Sequence, residues 1–147
     1  MNVRPSMVIV KDKKILVMKY NYNGNTVYGL PGGNPDRDET LEQTLIRELK
    51  EELNLEVAVG PLILTGEVIF AEKNKSTLHC VFLGASFSGS PALNPDHTTA
   101  LTAEWKEVAE IDSLNLYPNV GQHIKSLLNE NKPDTNIYIG RIDQKWF

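Results

Sequence analysis

The chain has 147 residues, 41% of them hydrophobic and 23% charged, with a formal net charge of −4. This length and apolar content suit one globular domain over 1–147 with one sizeable core, and the negative balance argues against a protein that coats nucleic acid through a basic surface. No apolar run approaches the ~18 residues of a membrane span and the first residues lack the apolar stretch of a secretion signal, so the expectation is a cytoplasmic, soluble protein with no membrane and no stable nucleic-acid complex among its partners.

In chain order, residues 3–10 are rich in β-branched side chains and predict a strand. Residues 15–20 predict a second, and the polar turn Lys11-Asp12-Lys13-Lys14 predicts that the two form a hairpin. Residues 21–25, with Gly24, are a turn cluster. Residues 27–30 form a short strand, stopped by Pro31-Gly32-Gly33, and a polar loop follows over 34–39. The clearest helix is 40–53. Thr40 is its N-cap and Gln43 completes a capping box, while Leu41, Leu45, Leu49 and Leu53 mark the buried stripe. Asn54, which tolerates the left-handed conformation, closes the helix, and Leu55 folds back over Leu49. Residues 57–70 are β-like with a break near Gly60-Pro61, and 77–87 predict another strand. That strand carries the lone Cys80, which excludes an intramolecular disulfide and suits a reducing compartment. A loop over 88–102, a short strand over 105–108, an amphipathic helix over 120–128 and a strand-like run over 137–142 complete the chain. Strands outnumber helices and helices flank them, so an α/β sandwich around a mixed central sheet is expected. The aromatic pair Trp146-Phe147 is expected to dock on its own domain or on a partner subunit.

Glu48, Glu51 and Glu52 share one arc of the first helix, beside the leucine stripe. Like charges at this spacing repel, and they lie in the last turns, where the helix dipole disfavours negative charge. Two local helix rules are broken at one place, which marks a candidate functional site. A hard divalent cation reverses the penalty, because clustered carboxylates are what Mg²⁺ binds. A solvated acidic face, helped by Arg47 and Lys50, is the plainer alternative for these residues taken alone.

Their surroundings carry a resemblance. Gly33-x5-Glu39-x7-Arg47-Glu48-Leu49-x-Glu51-Glu52-x-Asn54-Leu55 is similar to the Nudix box, and Leu30-Pro31-Gly32-Gly33 matches its usual lead-in. One position departs: Asn54 stands where the family has glycine. The resemblance implies a Nudix-type α/β/α sandwich. It also implies Mg²⁺-dependent hydrolysis of a diphosphate linkage in a nucleoside diphosphate derivative, with Mn²⁺ as a substitute metal. Nucleoside triphosphates and ADP-ribose-like compounds are the favoured substrates. A catalytically silent nucleotide-binding or sensor module of the same fold is the alternative, and a homodimer is compatible with either.

By the same resemblance Gly33, Glu48, Glu51 and Glu52 hold the metal, and Arg47, Glu51 and Glu52 serve catalysis. Glu39 closes the loop onto the helix, with a ligand role as the alternative. Glu104 is the candidate general base from a later loop, Asp96 a weaker one, and a surface role is open for both. Arg4, Tyr20 and Tyr28 are substrate candidates, a tyrosine ring stacking on a base; strand packing and surface exposure are the plainer readings. His79, His97 and His123 have no metal-ligand spacing and are assigned packing or surface roles.

Overall fold

The computed structural model describes residues 1–129 and 136–147. The chain runs through β1 (Asn2–Val8), β2 (Val10–Lys11), β3 (Lys14–Tyr22), β4 (Asn25–Gly29), α1 (Leu41–Leu53), β5 (Glu56–Phe70), β6 (Lys75–Ser88), β7 (Thr102–Glu107), β8 (Leu116–Tyr117), α2 (Gly121–Asn129) and β9 (Tyr138–Arg141). Short 3₁₀ turns occupy Ala71–Lys73 and Val108–Ser113. One mixed sheet has the order β1-β6-β5-β9; the other has the order β2-β3-β4-β8, with β7 also pairing β3. The expected central sheet is thus divided in two.

The strands explain the layering. Met7, Val8 and Ile9 are consecutive and all buried, as are Ile15, Leu16, Val17 and Met18. Such runs belong to strands covered on both faces. Met7, Ile9, Leu16 and Met18 pack with Leu45, Leu49, Leu53 and Leu55 around α1. Val8, Ile15 and Val17 point the other way and pack with Leu64, Val81 and Ile124 of α2. Successive side chains of a strand face opposite sides, so α1 covers one side and α2 the other. This is the α/β/α sandwich implied by the sequence.

One expectation is corrected. β1 does not form a hairpin with β3; it lies parallel to β6, with Asn2 opposite Thr77 and Val8 opposite Leu83. Only the two-residue β2 turns back on β3, through Asp12 and Lys13, both with positive φ. A strand buried on both faces needs a sheet neighbour on the inside, which a local hairpin at the edge does not supply. The true hairpin is β3–β4, where Asn23 (φ 53) and Gly24 (φ 84) make the turn that matches strand twist. Residues 56–70 form one strand, and the expected break near Gly60-Pro61 is a series of register shifts against β6. Among the described residues no helix is long and apolar enough to cross a membrane.

Candidate active site

α1 is fixed at both ends. Thr40 Oγ1 accepts from the Gln43 N–H at 3.1 Å, and Gln43 Oε1 accepts from the Thr40 N–H at 2.9 Å. Asn54 closes the helix at φ 54, and the Leu55 N–H reaches back to the Leu49 carbonyl at 3.2 Å. With Leu45, Leu49 and Leu53 locked in the core, the rotation of α1 is set. Arg47, Glu48, Glu51 and Glu52 therefore share a fixed, half-buried face.

Arg47 is the hub of that face. Its Nε donates to Glu39 Oε2 at 2.7 Å and its Nη2 to Glu39 Oε1 at 2.9 Å. Nη1 donates to Glu48 Oε1 at 3.0 Å and to Glu51 Oε2 at 3.2 Å, and Nη2 also reaches the Asn34 carbonyl at 3.2 Å. Glu39 further accepts from the Thr44 hydroxyl and the Asp36 N–H. The Arg47 hydrogen bonds, seconded by the Asp36 N–H, hold the Glu39 carboxyl down to about 2. Arg47 is in turn held more firmly in its charged form, first by Glu39. One guanidinium thus ties the loop before α1 to the middle of the helix.

Gly33 is placed by β1. The Met7 N–H donates to the Pro31 carbonyl at 2.8 Å, the Gly33 N–H to the Pro5 carbonyl at 3.3 Å, and Ser6 bridges Gly32. A Cβ on Gly33 would collide with the Glu48 carboxyl. The glycine is needed for close approach, since its φ is not among the positive ones. It leaves bare backbone against the Glu48 carboxylate.

Glu52 is disfavoured in its ionised form. Burial pushes its pKa up to about 7, with the charge of Glu48 and then Glu51 adding, and Arg4 and Arg47 opposing. The carboxylates Glu48, Glu51 and Glu52 offer oxygen donors only, which suits a hard divalent cation such as Mg²⁺. Among the described residues no three acidic, His or Cys side chains already converge on one point. Arg47 Nη1 holds Glu48 and Glu51 toward itself.

The loop after β6 brings up a residue that the sequence assigns only a packing or surface role. The Ala92 and Asn94 N–H groups donate to the Leu53 and Glu52 carbonyls at 2.9 and 3.0 Å, so the loop caps the end of α1. This brings His97 Nδ1 to 3.8 Å from Glu51 Oε2. Nothing in local spacing announces these contacts, which depend on a loop folding back on a helix.

Arg4 and Tyr20 line a cleft of about 280 Å³ that also includes Ser6, Tyr22, Phe70 and Tyr117. Both also sense the acidic face: Arg4 opposes the rise of Glu52, and Glu52 adds to the rise of the buried Tyr20 hydroxyl. Tyr28 is not among the cleft residues; its ring lies under the Lys106 ammonium, 5.2 Å from it. Glu104 lies on the other face of its sheet. It sits opposite Val17 in the β3–β7 pair, hence on the side of the sheet away from α1. There the Thr102 hydroxyl and then Lys106 hold its carboxyl below the usual range. Asp96 is exposed. His123 is exposed on α2, whereas His79 is fully buried.

A model of the NUDIX domain family matches residues 1–128. Among solved structures, the chain is similar to a MutT NUDIX hydrolase from Burkholderia pseudomallei, at 28% identity and a TM-score of 0.65 over 74% of this chain and 84% of that one. It is similar to the ORF135 protein of E. coli, at 21% identity and a TM-score of 0.76 over 91% and 95%. It is also similar to an ADP-ribose pyrophosphatase from Streptococcus suis, at 17% identity and a TM-score of 0.61 over 97% and 98%. No curated protein gives a significant sequence match.

Proposed function

This chain belongs to the Nudix family and is a hydrolase of that family, and we propose that it breaks a diphosphate linkage in a nucleoside diphosphate derivative with Mg²⁺ as its metal. A nucleoside triphosphate or an ADP-ribose-like compound is the substrate class. The observation that supports this reading best is the α1 face, where Glu48 packs against Gly33 and Arg47 holds Glu48 and Glu51.

In this reading Glu48, Glu51 and Glu52 are the residues that would hold Mg²⁺, or Mn²⁺ in its place, with the Gly33 backbone left open beside them. Such an ion supplies neutralisation of phosphate charge and a more acidic water. The rest falls to the side chains. Arg47, braced by Glu39, fixes the directions of Glu48 and Glu51. Glu52 takes the proton of the attacking water as its oxygen bonds to phosphorus and the P–O bond of the diphosphate bridge breaks, the bridging oxygen leaving with the departing phosphate. Arg4 meets the negative charge of the substrate at the mouth of the cleft. Glu104 has no part in this step.

The test is a panel of nucleoside triphosphates, nucleotide sugars, dinucleoside polyphosphates and ADP-ribose, with products identified with and without Mg²⁺. Metal-dependent release of phosphate, pyrophosphate or nucleoside monophosphate from one class is the expected result. Binding of a compound with no release from any would replace the hydrolase by a silent nucleotide binder.

A further inference from the structure

The family match ends at residue 128, yet the cleft beside the acidic face is completed by residues well beyond it: Lys145, Trp146 and Phe147. They do not arrive there as a loose end. β9 lies along β5, and the Ile142 N–H donates to the Glu67 carbonyl at 2.7 Å with Ile142 buried. Gln144 Oε1 then accepts from the Asn119 N–H at 2.7 Å, and the Asn119 amide donates to the Asp143 carbonyl at 2.9 Å. Past these anchors Trp146 meets the Phe70 ring edge to face at 4.9 Å. The Lys73 and Lys75 ammoniums lie 5.5 and 5.1 Å from its centre. So fixed, Trp146 still leaves 46% of its residue surface exposed.

The other features of the cleft say what it fits. Tyr20 and Tyr22 stack on each other at 5.6 Å and 15°, so flat aromatic faces come from β3 as well as from the end of the chain. The charged side chains lining the cleft, Arg4 and Lys145, are both cationic. Ser6 also lines it, and its hydroxyl is buried with no hydrogen-bond partner. A buried polar atom without a partner calls for one. Leu30 and Ser6 line the cleft, and Ser6 bridges Gly32, so the cleft runs up to the turn whose next residue, Gly33, packs against the Glu48 carboxyl. A flat heteroaromatic group joined to a phosphate chain has the shape and charge for this space.

We propose that Trp146, delivered by the segment that follows the family-matched region, is a specificity-determining residue whose ring is a stacking surface for the base of the substrate. The inference rests on the reading of the substrate as a nucleotide. It assigns the rim of the base site to Trp146.

Calorimetric titration of the full chain with ATP, GTP, CTP and UTP tests it, with inorganic tripolyphosphate as the base-free probe and Ca²⁺ in place of Mg²⁺. Wild type, Trp146→Phe and Trp146→Ala are compared. The expected result is a nucleotide whose Kd weakens roughly 5- to 100-fold in Trp146→Ala, the range for loss of one base–aromatic stack. Trp146→Phe should keep most of the affinity, and tripolyphosphate should bind all three alike. Equal affinity of every nucleotide for wild type and Trp146→Ala overturns the proposal, as does an equal loss for tripolyphosphate or no nucleotide binding at all. Mg²⁺-dependent turnover separates the two readings. Trp146-dependent binding without turnover sinks the hydrolase and leaves the stacking wall; turnover with a KM indifferent to Trp146 does the reverse.

Discussion

Arg47 meets Glu39 through two parallel hydrogen bonds, Nε to Oε2 at 2.7 Å and Nη2 to Oε1 at 2.9 Å, while Nη1 remains free to hold Glu48 and Glu51. Only a planar fork can serve both directions at once. Arg47→Lys keeps the charge and loses the fork. Turnover should fall on the order of 100-fold, the scale of a small misplacement at a catalytic centre, with Tm lowered by only about 3 °C. Steady-state kinetics and a thermal melt check both. A fully active Arg47→Lys protein would detach this geometry from the activity.

Gly33 gives the second prediction. A Cβ at this position meets the Glu48 carboxyl, and the backbone cannot retreat because Gly33 and Pro31 are bonded to β1. Glu48 must move instead. Gly33→Ala should raise the Mg²⁺ concentration needed for half-maximal turnover about 10- to 100-fold and leave far-UV circular dichroism unchanged. An unaltered metal dependence would show that Glu48 does not need that contact.

What the sequence shows and what it hides divide along the range of the interactions. α1 is legible because its signals are local: the Thr40–Gln43 box, leucines every fourth residue and a left-handed Asn54 all form within the segment itself. The Nudix family is legible for the same reason, since its box lies on that helix and the loop before it. The partner of β1 is not, because Asn2 pairs with Thr77 far along the chain. Glu104 is a candidate base by position in the sequence, but the register that sets it opposite Val17 turns it away from α1. His97 and Trp146 reach their places through backbone hydrogen bonds of the loop after β6 and of the segment after β9, which no spacing rule encodes.

Glu52 should show a trade of stability against function. Burial and the neighbouring charges of Glu48 and Glu51 disfavour its ionised form. Glu52→Gln removes the charge without changing shape. Turnover should drop on the order of 100- to 10,000-fold, the range for loss of a proton acceptor. The metal-free protein should melt at the same temperature as wild type or higher. Near-normal turnover would remove Glu52 from the mechanism, and a large fall in Tm would make it a structural residue.

Asn54 stands at the family's glycine position with φ 54 and ψ 37. Asparagine tolerates that conformation and a β-carbon without a polar tip does not. Asn54→Ala should cost about 1 kcal/mol in urea denaturation, and Asn54→Gly should remain within about 0.5 kcal/mol of wild type. Activity should survive in Asn54→Gly, because the carboxylates lie before the cap. Unfolding of Asn54→Gly would show that the side chain does more than end the helix.

His79 predicts a pH dependence of stability separate from the acidic face. It lies fully buried on β6, opposite Arg4 of β1, with Tyr117 edge to face at 5.2 Å and neither ring nitrogen hydrogen-bonded. Burial first, and then the positive charge of Arg4, depress its pKa from 6.5 to about 4. The folded protein therefore holds the neutral ring while the unfolded chain binds a proton more readily. The contribution to stability is complete above pH 6.5 and is lost as the pH falls toward about 4. The loss amounts to roughly 3 kcal/mol across that window. His79→Phe keeps the ring contact with Tyr117 and has no proton to bind, so its urea-denaturation stability should fall less steeply between pH 6.5 and 4 than that of wild type. Parallel pH profiles for the two proteins would mean that His79 is protonated as easily in the folded state as in the unfolded one.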